Sequence, residues 1–154
     1  MKKPVIATPE VTNYILRRFN LHADKKLGQN FLIDEDIVRR IAAAAELAPG
    51  EPVLEVGPGI GTLTQALAET GADVTAVELD KRLLPVLEKT LDGYENVRVI
   101  NSDVLELDVN SAMGGKTFKV AANLPYYITT PIIFALLEKK LPLERMVIMV
   151  QKEV

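Results

Sequence analysis

The chain has 154 residues, 48% of them hydrophobic and 25% charged, which suits one globular domain with a buried core. It has no cysteine and a single histidine, His22, which excludes disulfides, thiolate catalysis and zinc sites built on cysteine or on several histidines. The net charge of −3 argues against a domain that binds polyanions over its whole surface, and no run approaches the roughly 18 apolar residues that cross a bilayer.

No membrane association is therefore expected, and Val5-Ile6-Ala7 is too short for a signal-peptide core, so a cytoplasmic location is the default. Charge is unevenly spread. Up to Lys26 six basic residues (Lys2, Lys3, Arg17, Arg18, Lys25, Lys26) face two acids (Glu10, Asp24), leaving this arm at +4 and the remainder at −7. Such an arm can meet a polyanion or form an ordinary solvated helix surface.

Thr8 followed by Pro9 opens a helix whose Val11, Tyr14, Ile15 and Phe19 recur at helical spacing. The stretch Lys25 to Ile33 has neither helical nor strand periodicity, and Asp34 then caps a helix through Ile37, Ile41, Ala44 and Ala45 to Pro49-Gly50. Pro52 to Val56 reads as a buried strand closed by a glycine loop. Thr62 to Thr70 follows as a helix, Asp73 to Glu78 as the second strand, and Asp80 as the cap of a helix whose first turn Pro85 makes irregular. Val97 to Ile100 and Lys119 to Ala122 are the third and fourth strands, with a flexible loop expected over Asn110 to Lys116. Thr130 with Pro131 is expected to start a last helix, Ile132 to Lys140, before a fifth strand from Met146 to Val150.

Strands alternating with helices across short connections predict a doubly wound parallel α/β sheet, in which ligands sit at the carboxyl ends of the strands. Residues 1–33 read as a helical arm, and 34–154 as the α/β domain. Polar features fall at four strand ends: the glycine loop, Glu78, Asp103 and Asn123.

Gly57, Gly59 and Gly61 allow the backbone to turn sharply and approach a ligand, or simply make a tight strand–helix turn. Thr62 stands where a dinucleotide fingerprint has its third glycine, which weakens a pyrophosphate-binding reading. Glu78, 21 residues beyond Gly57, can accept both hydroxyls of a ribose; an isolated acid there would be an exposed strand end. Asp103 can accept from an adenine amine while the Val104 N–H donates to a ring nitrogen, or it can close an Asx-turn. Asn123-Leu124-Pro125-Tyr126 can hold a planar amine, or simply make a proline-containing turn after a strand. The Asn123 side-chain carbonyl and the Leu124 main-chain carbonyl orient its N–H groups, Pro125 fixes the turn, and Tyr126 offers a stacking face.

With Leu27-Gly28-Gln29-Asn30-Phe31-Leu32, Leu54 through Thr64, Val77-Glu78-Leu79-Asp80, Asp103 and Ala122 through Pro131, the chain resembles the ribosomal RNA adenine-N6 dimethyltransferases, most closely the small-subunit (16S) branch. The resemblance implies a Rossmann-like class I S-adenosylmethionine-dependent methyltransferase fold, with S-adenosyl-L-methionine as cofactor. It implies dimethylation of two adjacent adenines in a small-subunit rRNA hairpin during ribosome assembly, with the immature small subunit as partner. It adds a cofactor-covering segment to the arm of residues 1–33, and places Asn30 and Leu32 at the methionine end of the cofactor, Gly57 at its floor, Glu78 at the ribose, and Asp103 with Val104 at the adenine. Gln29, Gly59 and Leu79 join this cofactor set, and Asn123 through Tyr126 hold the target base, with Asn123 also near the donor. Lys25, Lys26 and the arm are expected to approach RNA phosphates.

Family members continue past Gln151-Lys152-Glu153-Val154 into further strands, an aromatic residue for the other face of the base, and a helical RNA-binding domain. The chain is therefore expected to be an N-terminal fragment, truncated after its fifth strand, that keeps cofactor binding with little or no turnover. Two copies are expected to pair through that strand. The competing readings are a large-subunit rRNA dimethylase of the antibiotic-resistance type, a non-catalytic ribosome assembly factor, and a dehydrogenase.

Overall fold

A computed structural model describes residues 3–21, 34–124 and 126–150, the side chains at 126–129 and 150 excepted. Helix α1 (Pro9–Arg18) precedes α2 (Glu35–Ala45), then β1 (Pro52–Val56), α3 (Thr62–Glu69) and β2 (Asp73–Glu78). A 3-10 turn (Lys81–Leu83) leads into α4 (Leu84–Thr90), followed by β3 (Val97–Asn101), α5 (Val109–Ala112), β4 (Phe118–Leu124), α6 (Tyr126–Glu138) and β5 (Leu143–Val150). The five strands form one sheet in the order β3-β2-β1-β4-β5, and every pairing is parallel.

Alternation along the strands sends side chains to two cores. Leu54, Val56, Val77, Val120, Ala122 and Leu124 pack with Val109 of α5 and Ile132 and Leu136 of α6 on one face. On the other, Val53, Val74 and Ala121 pack with Val38 and Ile41 of α2 and Leu63 and Leu67 of α3. Helices cover both faces, as a doubly wound sheet requires.

Local caps account for several boundaries. Thr8 Oγ1 accepts from the Val11 N–H at 3.3 Å and Asp34 Oδ1 from the Asp36 N–H at 2.7 Å, both at the predicted helix starts. Pro85 stands in the first turn of α4 behind a 3-10 turn capped by Asp80, whose Oδ1 accepts from the Arg82 N–H at 2.9 Å.

Four expectations are corrected. In α1 Ile15 is buried with Thr12 and Leu16, and Val11 and Phe19 pack against the same cluster, but Tyr14 is 67% exposed and lies outside the inward stripe. The expected loop over 110–116 is helical as far as Ala112, the end of the short helix α5, which is capped by Asp108 Oδ1 accepting from the Ser111 N–H at 3.1 Å. Helix α6 begins at Tyr126 and carries Pro131 inside it; a proline removes one backbone bond from a helix, and the burial of Ile132 and Leu136 holds this one together. Finally β4 runs on to Leu124 and β5 begins at Leu143, because the two pair in parallel from Phe118↔Leu143 to Leu124↔Val150.

Candidate active site

The strand order reverses at β1: β2 and β3 lie to one side and β4 and β5 to the other. The crevice above β1 and β4 is where ligands bind such sheets, and at its edge the structure links the glycine loop to Glu78 on one side and to Leu124 on the other. The Gly57 N–H donates to the Val77 carbonyl at 2.9 Å, extending the β1–β2 ladder one step into the loop. Gly57, Gly59 and Gly61 have φ of +73°, +61° and +95°, a left-handed conformation that side chains with a Cβ resist. The Gly61 N–H closes the turn on the Pro58 carbonyl at 2.9 Å, and Gly61 then caps α3 without a side-chain bond.

Glu78 ties the second strand to this loop. It is only 6% exposed; its Oε1 accepts from the Gly59 N–H at 3.0 Å and its Oε2 from the Asp80 N–H at 2.9 Å. Burial raises its pKa above the usual carboxylate value, opposed by the hydrogen bonds from Asp80 and Gly59. Since each carboxylate oxygen carries two lone pairs, both oxygens retain capacity for a ligand hydroxyl. Its neighbour Leu79 is 68% exposed, an apolar side chain in solvent at the same edge.

Leu124 closes the opposite side. A Cβ built on Gly57 falls 2.8 Å from Leu124 Cδ2, so the loop's first glycine and the end of β4 are in direct contact. Asn123 precedes it, half-buried and opposite Met149 of β5. Tyr126 is the first residue of α6 and so belongs to a helical turn. Gln29, Asn30, Leu32, Lys25, Lys26 and Pro125 lie outside the described residues.

At β3 the Ser102 N–H donates to the Glu78 carbonyl at 3.1 Å, which places Asp103 beside the end of β2. Asp103 Oδ1 accepts from the Leu105 N–H at 2.9 Å, an Asx-turn that leaves its other oxygen outside that bond. Val104 is buried in the core that holds Val56, Val77 and Leu124, and its N–H donates to none of the described residues. The turn and a ligand-facing role are thus compatible.

Sequence reasoning assigned nothing to Glu55, which stands in the middle of the site's foundations. This acid on β1 is 1% exposed, the Thr64 hydroxyl of α3 donates to its Oε1, and burial pushes its pKa up to about 8, the Glu78 charge adding to the rise against the Thr64 bond. An acid inside the apolar run Val53-Leu54-Glu55-Val56 was the available signal. Gln65 was also overlooked: 4% exposed, it accepts from the Ile6 N–H at 2.9 Å and donates to the Pro4 carbonyl at 2.8 Å. That clasp holds the segment before α1 against α3. Ile60 of the glycine loop completes it, packing with Ile6, Ile15 and Leu16.

No group of three or more histidines, cysteines or acids is placed to hold a metal among the described residues, and none of their helices is long and apolar enough to cross a membrane. What remains is a glycine loop, a buried acid bonded to it and an amide-bearing strand end at a topological switch point. These are the parts of a class I S-adenosylmethionine-dependent methyltransferase fold. Solved structures share it: the 23S rRNA methyltransferase ErmE superposes with a TM-score of 0.68 at 37% identity over 77% of this chain and 46% of that one. A dimethyladenosine transferase from Plasmodium falciparum gives 0.64 at 32% identity, over 77% and 42%.

The chain belongs to the ribosomal RNA adenine dimethylase family, whose model matches residues 20–154. The ribosomal RNA small subunit methyltransferase A of Alkaliphilus metalliredigens is 48% identical over 97% of this chain and 53% of its own length. The chain thus spans about half the length of the curated relatives it matches.

Proposed function

We propose that this chain binds S-adenosyl-L-methionine and that the whole protein uses it to dimethylate N6 of adjacent adenines in small-subunit rRNA. The observation that carries the reading is the contact of the glycine cradle with the end of β4: Leu124 stands against Gly57, so a cofactor over the loop lies beside Asn123. The donor set suits adenosine without phosphates. Glu78 has acceptor capacity for two ribose hydroxyls, while Asp103 and the Val104 N–H offer an acceptor and a donor for the adenine edge. Gln29, Asn30, Leu32 and Leu79 complete the proposed cofactor set from the sequence pattern.

The cofactor supplies a methyl group made electrophilic by a sulfonium. The chain's part is to make the adenine amine a better nucleophile, since its lone pair is delocalised into the ring. N–H bonds to the Asn123 Oδ1 and the Leu124 carbonyl orient the amine and favour a pyramidal nitrogen. From the sequence pattern, Pro125 would limit the backbone between Leu124 and Tyr126, and Tyr126 would stack on the extruded base. The leaving thioether is neutral, so no strong base is needed: the proton leaves the methylated nitrogen for water, and positioning supplies much of the rate.

The small-subunit branch is favoured over the large-subunit one by a relative of that name at 48% identity, against 37% for the 23S rRNA enzyme. Titration calorimetry of the chain with S-adenosylmethionine tests the first half. Binding that falls at least about tenfold in Asp103→Ala, as expected for losing a hydrogen bond to a charged group, supports it; a folded chain that takes up no cofactor overturns it. Methylation of under-methylated small subunits, with the modified nucleotides mapped, separates the two branches. β5 pairs only with β4 among the described residues, and the expected pairing of two copies along it is checked by sedimentation at high concentration.

A further inference from the structure

A second recess lies on the far side of the glycine loop, between α1 and the end of α4. Its volume is about 360 Å³ and its lining includes Lys3, Tyr14, Arg18, Phe19, Lys89 and Thr90, a size within the range of about 300–1,000 Å³ typical of small-molecule clefts. Three cations and no carboxylate line it, although the chain carries a net charge of −3. Neither Arg18 nor Lys89 has a carboxylate within ion-pair distance among the described residues.

Lys3 is already committed: its Nζ donates to the Lys89 and Thr90 carbonyls, both at 3.3 Å, and sits 5.7 Å from the Tyr94 ring centre. It fixes the floor and complements the negative end of α4. The other two cations are left facing solvent. Two aromatic side chains line the recess. The Arg18 guanidinium lies 5.5 Å from the Phe19 ring centre, and Tyr14 is a large ring 67% exposed at the rim. Flat apolar surface beside uncompensated positive charge matches a nucleotide, whose base stacks while its phosphate takes the cations.

We propose that this recess is a nucleotide subsite for a single-stranded stretch of RNA, separate from the pocket for the target base. Tyr14 takes a base, and Arg18, held over Phe19, and Lys89 take the flanking phosphates. An acidic peptide would satisfy the charges but leave the Tyr14 ring without a planar partner, so RNA is the better match; the inference rests on the reading that the protein acts on RNA. The recess also backs onto the cofactor loop. Thr90 Oγ1 lies 2.9 Å from a Cβ built on Gly61, and Ile6 and Ile15, which line the recess, pack with Ile60.

The test is fluorescence anisotropy with a labelled oligoadenylate of about ten nucleotides, within the usual site size of a single-strand binder. Wild type, Tyr14→Ala and the double variant Arg18→Ala/Lys89→Ala are compared across a salt series, with S-adenosylmethionine binding measured on the same samples. Tyr14→Ala is expected to weaken RNA binding about tenfold. The double variant is expected to flatten the salt dependence by about 1.4, because each phosphate neutralised on a single strand adds about 0.7 to the slope. Cofactor affinity stays at the wild-type level in both. The proposal is overturned if the wild type fails to bind the oligonucleotide, or if both variants bind it with unchanged affinity and slope. Displacement of the RNA by a glutamate-rich peptide that needs Tyr14 equally also overturns it. Loss of cofactor binding in wild type would instead strike the methyltransferase reading.

Discussion

Leu124, the last residue of β4, stands so close to Gly57, the first residue after β1, that a Cβ on the glycine meets its Cδ2 at 2.8 Å. The strand end that presents Asn123 and the loop proposed to hold the methyl donor are therefore one packed unit. Gly57→Ala tests it. At φ +73° an alanine incurs about 1–2 kcal/mol of backbone strain, and overlap with Leu124, only 9% exposed, adds to this. We expect a loss of about 2–3 kcal/mol in urea unfolding and no detectable cofactor binding. Adding Leu124→Ala relieves the overlap but not the strain, so the two changes are non-additive; wild-type stability in Gly57→Ala would refute the contact.

Glu55 makes the chain's stability depend on pH in an unusual direction. Its pKa is about 8 in the folded chain against an ordinary value of 4.5, so between those values the folded state holds a proton that the unfolded state has released. Stability from this group is full below pH 4.5 and declines as pH rises through about 8. The shift corresponds to about 5 kcal/mol at most. Glu55→Gln keeps an acceptor for the Thr64 hydroxyl and cannot titrate. Its stability should vary by several kcal/mol less between pH 5 and 8 than the wild type's, measured by urea denaturation at each pH. Parallel profiles would show that Glu55 does not hold its proton.

Gln65→Ala should loosen the arm selectively. It removes the acceptor of the Ile6 N–H and the donor to the Pro4 carbonyl, leaving a buried N–H unpaired at about 1–3 kcal/mol. Limited proteolysis is expected to cut the segment before α1 earlier than the sheet. Because α1 packs on Ile60, cofactor affinity should fall severalfold with it. Equal cleavage rates in variant and wild type would mean that the clasp is unimportant.

What could be read from the sequence depended on whether the signal was local. Pro52–Val56 and Asp73–Glu78 were legible because apolar runs end at a glycine turn or an acid, and Thr8 and Asp34 because a cap acts within three residues. The extension of β4 through Asn123 and Leu124 was not, since it is set by pairing with Met149 and Val150, about 26 positions away in this sequence. Pro131 pointed to a helix start because proline is favoured there, yet the helix begins five residues earlier. The glycines and Glu78 were visible as a motif. The acid Glu55 inside an apolar run was visible but its partner was not, because Thr64 meets it only when α3 folds over β1 and leaves it 1% exposed.

Glu78 is the residue through which cofactor binding itself becomes pH-dependent. Its two oxygens accept from Gly59 and Asp80, and the proposed ribose contact needs their remaining lone pairs. Protonation turns one of those acceptors into a donor, so affinity should drop as pH falls through a pKa that burial raises above 4.5. Glu78→Gln offers one acceptor and opposes a backbone N–H with its amide. We expect S-adenosylmethionine affinity to fall about 10- to 100-fold, consistent with about 1.5–3 kcal/mol for a hydrogen bond to a charged group. The residual binding should no longer weaken in acid, while circular dichroism stays that of the folded chain. Calorimetry from pH 5 to 8 on both proteins decides the matter. A variant that binds as tightly as the wild type, with the same acid dependence, would remove Glu78 from the ribose site and leave it as a brace for the glycine loop.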